Sequence, residues 1–413
     1  MTPRQTRCRY LLLLALRWFP VGLALPIFVL LPLDRGLTLA EAGLAASVQG
    51  FVVLALELPT GGLADSWGRR PVLVVSAAVC AVSLALFAVA DTFLMLVAVY
   101  VLQGVFRALD SGPLDSWYVD ATLADDPDAK VERGLSAGSA VVGVAMGAGA
   151  LVAGGLVAWV EIPGVPTLAL PVWLGLFVQL AGLAAILLLV HEPPHPDGRR
   201  RFLASLREVP RVIVEGAGLV RRSRVLLALL AVELFWGFGM ITFEVLVKVR
   251  LAEEVGGLAK AAAIVGPAGA VAWLAFAAGS ALVPLLSARI GVAVTAGVLR
   301  IAQGLAVVGM GLLAGPVGVL AGYLAAYAVH GAAGPVHMTL VHREVTAEHR
   351  STVTSMNSMF AQPAGSLGLI VLTALASGVS TGFAIVVGGV ALAVAAPLYL
   401  PAARAERRQS VSV

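Results

Sequence analysis

Charge is scarce in this chain. Only 13% of its 413 residues are Asp, Glu, Lys or Arg, where soluble domains run at roughly a quarter. Cysteine is scarcer still. Cys8 lies near the N-terminus and Cys80 inside an apolar run, so neither a disulfide framework nor a Cys-based metal site is available. The six histidines offer no metal pair. His191 and His195 are four apart, but "HEPPH" sets two prolines between them and breaks the helix that such a spacing needs. His330 and His337, two turns apart, read as packing residues or as lining of a cavity. No phosphate-binding loop, nucleophile elbow or paired-Cys signature occurs. An enzyme is therefore not expected, and neither is a cofactor.

What is present is apolar. Hydrophobic residues make up 59% of the chain, and mean hydropathy is +0.94. Runs of 18 or more apolar residues read as membrane-spanning helices. They are continuously apolar and lack the alternation of a barrel strand. The first run, 11–31, has basic residues ahead of it as a signal peptide would. It is too long for that and has no small-residue cleavage site after it.

Twelve spans are predicted, at 11–31, 40–59, 71–90, 93–112, 135–160, 168–190, 225–247, 261–286, 291–313, 317–337, 353–377 and 381–400. They divide the chain into a six-helix bundle at 1–190, a cytoplasmic linker at 191–224, and a second six-helix bundle with a tail at 225–413. The expected fold is an all-α membrane protein of twelve transmembrane helices in two pseudo-symmetric bundles. With the N-terminus inside, 21 of the 28 Lys and Arg residues fall on the inner side and four on the outer, Arg35, Lys248, Arg250 and Lys260. The positive-inside rule then puts both termini in the cytosol of a cell whose plasma (inner) membrane holds the protein. The net charge of +4 follows from this asymmetry and needs no nucleic-acid partner. The linker mixes arginines with Phe202, Leu206, Val209, Val212 and Ile213, which fits either a helix lying on anionic lipid or a plain loop broken by Pro210 and Gly216.

One short break stands out. "GGLADSWGRRPVL", from Gly61, puts three glycines, an acid and two arginines between spans two and three. Gly61, Leu63, Ala64, Asp65, Gly68, Arg69 and Arg70 resemble the signature loop of the major facilitator superfamily, G-x-L-A-D-R-x-G-R-R, with Ser66 in place of its first Arg. "LLSARIG", ending at Gly291, is a weaker echo after the second span of the second half: it keeps Arg289 and has Ala288 where the acid stood. The resemblance implies two related halves and a conformational latch. In that latch Asp65 faces the start of helix eleven ("HRSTVTS", from His349), and Arg69 pairs with Asp115 or Asp120 beyond helix four. The alternative is a tight turn whose charges only solubilise it.

Ionisable residues inside spans are costly and mark functional candidates. In helix four Tyr100, Gln103, Arg107 and Asp110 fall on one face at steps of three, four and three. By the resemblance, an arginine that the family carries in this helix is here Tyr100, and Arg107 is its possible substitute. Arg17, Glu57, Arg107 and Asp110 lie at similar depth and can neutralise one another or serve as a static network. In helix seven Glu233 and Glu244 share a face roughly 16 Å apart at 1.5 Å per residue. An acid held in an apolar cavity can take up and release the proton that coupled transport needs. Glu233 is the better candidate, with Arg300 as partner; Glu244 reads as interfacial. In helix five Gly143 and Gly147 fit a glycine motif of exporters in this superfamily, while Ala148, Leu151 and Val152 depart from it.

These residues imply a monomeric secondary transporter in the lipid bilayer, working by alternating access with protons as coupling ion. By the resemblance, efflux of a small amphiphilic drug or natural product is the leading direction. Uptake of a sugar, amino acid or organic acid is the second reading, and a non-transporting scaffold or sensor the third.

Overall fold

The computed structural model describes residues 2–110, 112–127, 129, 131–192, 218, 220–221, 223–346 and 350–411; the side chains of 3, 57–62, 64–66, 350–352 and 409–411 are left out of the description. The amphipathic segment read from Phe202 to Ile213 lies outside these residues. Among those described there is no β-strand; one isolated bridge joins Ile162 and Val165.

The first half comprises α1 (Pro3–Ala24), α2 (Leu30–Asp34), α3 (Leu39–Trp67), α4 (Arg69–Val89), α5 (Phe93–Leu109), α6 (Pro113–Leu123), α7 (Glu132–Trp159) and α8 (Leu170–Leu189). The second comprises α9 (Arg224–Ile241), α10 (Val247–Val255), α11 (Leu258–Ile290), α12 (Val292–Leu312), α13 (Gly315–Arg343), α14 (Arg350–Gly378), α15 (Thr381–Val394) and α16 (Leu400–Val411). Among the described residues eleven helices are long and apolar enough to cross a bilayer; the 22-residue α1 is one further long helix.

Four predicted spans differ from what is seen. The first helix starts at Pro3, where a capping box between Thr2 and Gln5 satisfies two backbone donors. It ends at Ala24, just before Pro26, which has no N–H to extend the ladder. The second helix does not stop at 59. It continues through Gly61, Gly62 and Asp65 to Trp67, so those glycines make no turn. The turn is Gly68 alone, at φ 95° and ψ 157°, a conformation open to glycine and little else. The fourth span ends at Leu109, with Asp110 as C-cap, Gly112 at φ 97° and Pro113 opening α6. The seventh is interrupted by a π-helical segment, Thr242–Leu246, between α9 and α10.

The chain clusters into two compact units. The first holds Met1–Leu37, Phe51–Val209 and Ala262–Ala270; the second holds Thr38–Gly50, Pro210–Ala261 and Val271–Val413. In the first, Tyr10, Leu13, Leu73, Leu114 and Trp117 form a core, with Tyr10 stacked on Tyr118 at 4.4 Å. Gly266 sits so close to the Ala150 carbonyl that a Cβ would clash with it. In the second, Leu226, Leu229, Leu299, Val336 and Tyr399 are central, and Ser366 donates to the Ser47 carbonyl at 2.9 Å. Large apolar side chains such as Leu94, Phe177, Leu188, Leu274 and Leu312 are exposed, as a lipid-facing surface requires.

Arg35 closes the far end of α4. Its guanidinium donates to the carbonyls of Phe87 (2.8 Å), Ala90 (2.5 Å) and Ala88, which the helix end leaves without partners. Arg35→Leu is expected to cost about 1.5–3 kcal/mol, the range for hydrogen bonds to a charged group, read as a lower melting temperature of the purified chain.

Candidate functional sites

Each unit holds one buried acid against an arginine. In the first, the break after α5 leaves Asp110 as the C-cap of that helix, 4% exposed. Its carboxylate is ion-paired with the Arg17 Nε, and Arg17 Nη2 also donates to the Asp110 carbonyl at 3.3 Å. The Arg17 guanidinium lies 5.0 Å from the Trp18 ring centroid. A small cavity beside the pair is lined by Leu13, Leu73, Ser76, Phe106 and Gln179.

The polar stripe of helix four is not uniform. Gln103 and Tyr100 are buried, and the Tyr100 hydroxyl donates to the Phe28 carbonyl at 3.4 Å. Asp110, whose amide still donates to the Phe106 carbonyl, is buried like Gln103 two turns before it, while Arg107 is exposed. The Glu57 side chain is outside the description.

In the second unit the acid is Glu233 on α9, 4% exposed. His337 Nε2 lies 3.2 Å from its carboxylate and Arg300 Nη2 lies 3.9 Å away. The cluster extends further. Arg300 Nη1 donates to Gln303 Oε1 at 2.9 Å. His337 reaches the Tyr399 hydroxyl at 2.9 Å through Nδ1 and Asn357 Oδ1 at 3.1 Å through Nε2. Arg300, Gln303, His337 and Tyr399 are all buried; Asn357 is half-buried. Four helices, α9, α12, α13 and α14, and the 3-10 turn Ala396–Tyr399 each supply a member. His337, expected to pack or to line a cavity, is hydrogen-bonded on both ring nitrogens.

Glu244 is not simply interfacial. It sits in the π-helical segment, half-buried, and accepts a hydrogen bond from Tyr327 at 2.5 Å. Lys248, one turn on, is buried.

The signature stretch forms a polar knot at the start of α4. Arg69 Nη2 is 2.8 Å from Asp120 and Arg69 Nη1 3.8 Å from Glu192. The Arg70 amide donates to Glu192 Oε2 at 2.9 Å, and its guanidinium to the Leu187 carbonyl at 2.8 Å. Asp115 accepts from the Tyr10 hydroxyl at 2.7 Å. Leu63 is half-buried and Gly68 buried. The side chains of Gly61 and Asp65, like residues 347–349, are outside the description, and with them the contact expected between Asp65 and helix eleven.

The second half repeats the arrangement around Gly291, at φ 82° and ψ 158°. There Glu406 accepts from the Val292 and Ala293 amides at 3.2 and 3.1 Å and pairs with Arg343 at 3.2 Å. In both halves a glutamate beyond the sixth predicted span, Glu192 past α8 and Glu406 within α16, caps the helix that starts after the glycine, α4 or α12, where negative charge meets unpaired N–H groups and the positive end of the helix dipole.

Comparison with known proteins fits this repeat. A family model described as Major Facilitator Superfamily matches residues 10–369. The chain belongs to the major facilitator superfamily. Among solved structures it is similar to the nucleoside transporter NupG, at 13% identity and TM-score 0.77, covering 96% of this chain and 98% of that one. It is also similar to a bacterial homologue of the human lysosomal transporter Spinster, at 17% identity and TM-score 0.74, covering 97% and 96%. A proton-dependent oligopeptide transporter matches at 14% identity and TM-score 0.73, covering 98% and 100%. No curated protein matches. At these identities the structures establish the fold alone, an all-α, multi-pass membrane protein of the twelve-helix, pseudo-symmetric facilitator type; the family match makes the chain a membrane transporter.

Within this superfamily fold, the reading of the sequence passed over Glu192, Glu406, Asn357, Gln303 and Tyr399. The one available signal was positional: Glu192 and Glu406 each lie just beyond the sixth predicted span of their half.

Proposed function

We propose that this facilitator couples the movement of a small organic molecule to that of protons, by alternating access of the halves 1–190 and 225–413 joined by the linker 191–224. The observation that carries the reading is the buried Glu233, held between Arg300 and His337 and linked through Asn357 to a half-buried edge. Protonating such an acid frees its arginine and rearranges the hydrogen bonds of four helices, which ties proton occupancy to conformation. Asp110 with Arg17 offers the same chemistry in the first unit. Arg69, Asp120 and Glu192 then form the latch at the cytosolic side, with both termini in the cytosol and the protein acting as a monomer in the plasma membrane.

For direction we propose export of a small amphiphilic compound, supported by the aromatic side chains that surround the polar groups of the second unit. Uptake is the second reading, supported by the nucleoside and proton-dependent oligopeptide transporters among the similar folds.

Proteoliposomes carrying a pH-sensitive dye test this. Under an imposed proton gradient, substrate-dependent proton flux is expected from the parent, and a loss of at least about tenfold from Glu233→Gln and from Asp110→Asn. A compound moving opposite to the protons reports export, and one moving with them reports uptake. Parent-like flux from both variants sinks the assignment of coupling residues.

A further inference from the structure

His330 on α13 is boxed by rings from four different segments of the second unit. Trp236 of α9 stacks nearly parallel to it, at 5.6 Å and 20°. Phe243 of the π-helical segment lies at 5.7 Å, Phe276 of α11 at 5.4 Å with a 67° tilt, and Tyr327 of α13 at 6.3 Å, edge-on. Trp273 extends the wall beside Phe276 and Tyr327.

Two features separate this group from ordinary core. Trp236, Trp273, Phe276 and His330 are half-buried, so part of the ring wall is exposed. The imidazole Nδ1 is shielded from solvent yet has no hydrogen-bond partner among the described residues. Buried polar atoms in folded proteins are normally paired. A buried nitrogen without a partner, set among partly exposed aromatic faces, is the pattern of a recognition site.

The charges nearby narrow the class. Glu244 is held by Tyr327, and the buried Lys248 lies on the next turn, so acid and base offset each other at the rim. A ligand with net charge gains little there. A neutral planar ring stacks well against these faces, and an edge atom able to hydrogen-bond satisfies the Nδ1.

We propose that the Trp236–Phe276–His330 group is a substrate subsite for a neutral, planar aromatic moiety bearing one hydrogen-bonding edge atom, with His330 Nδ1 as its polar partner. The proposal rests on the transport reading above, whose substrate class it names.

The test uses the full chain in lipid nanodiscs and three bicyclic probes: indole, a donor; quinoline, an acceptor; and naphthalene, neither. Equilibrium dialysis against empty nanodiscs removes lipid partitioning. The parent should bind indole or quinoline, whichever matches the Nδ1 tautomer, about tenfold more tightly than naphthalene. His330→Phe keeps the ring and deletes the nitrogen; it should erase that preference while naphthalene binding persists. Trp236→Leu should weaken all three. Equal binding of the three probes to the parent overturns the subsite, whether or not a variant folds. So does a preference that survives His330→Phe. Binding needs no proton gradient, so the two readings separate. A probe preference with no proton flux for any compound sinks the coupling and leaves the subsite standing. Flux without any preference sinks the subsite alone.

Discussion

Arg300→Met should lower the unfolding free energy of the chain by about 3–5 kcal/mol, the range seen when one partner of a buried ion pair is removed. The physical reason is the acid left behind. Glu233 and Arg300 are 4% and 2% exposed, so neither can turn to water when the other is gone. Gln303 would also lose the donor it accepts at 2.9 Å. The double variant Arg300→Met with Glu233→Gln removes both charges and should recover much of the loss. Denaturant unfolding in detergent micelles measures both. A single variant as stable as the parent means that Glu233 is carried neutral beside His337 and does not depend on Arg300. The same measurement keeps the Glu233→Gln flux result interpretable, because a variant that folds normally but moves no protons has lost coupling and not structure.

Gly68→Ala and Gly291→Ala form the second large effect. Both glycines lie at positive φ with ψ near 157°, a region essentially closed to residues with a Cβ, at about 1–3 kcal/mol each. Position 291 carries an added contact, since a Cβ there would come 3.2 Å from the Glu406 carboxylate and press on the cap of α12. We expect both variants to melt lower than the parent. Gly256→Asn serves as the control: at φ 68° and ψ 42° it occupies the left-handed region that asparagine tolerates, and it should be nearly silent. If position 68 accepts alanine without loss, the sharp turn between α3 and α4 is not fixed by glycine.

Much of this architecture was legible because a bilayer imposes long apolar runs, and run length alone locates a span. The ends were harder. Gly61 and Gly62 carry the composition of a turn, yet α3 passes through them, because a helix extended by its neighbours tolerates the roughly 1 kcal/mol that each glycine costs. The pairing of Arg300 with Glu233 was within reach, since an intramembrane base and acid seek each other. The rest of that cluster was not. Tyr399, Asn357 and Gln303 are uncharged, sit on separate helices, and become partners only once the second unit folds. The capping by Glu192 and Glu406 was hidden for a related reason: each acts on a helix more than a hundred residues away, and no local pattern records it. The stripe read along helix four is buried at Tyr100, Gln103 and Asp110 and departs at Arg107, whose long side chain is exposed.

The widened turn at Thr242–Leu246 has a consequence for how this molecule can diverge. Such a bulge absorbs one surplus residue, so a one-codon deletion there would restore regular winding while the helical segments on either side kept their faces. Glu244 lies inside the bulge and would lose its place opposite Tyr327, while Glu233 and Lys248 on either side stayed in place. A single in-frame event could thus rewrite the polar contacts around Tyr327 without disturbing the cluster around Glu233.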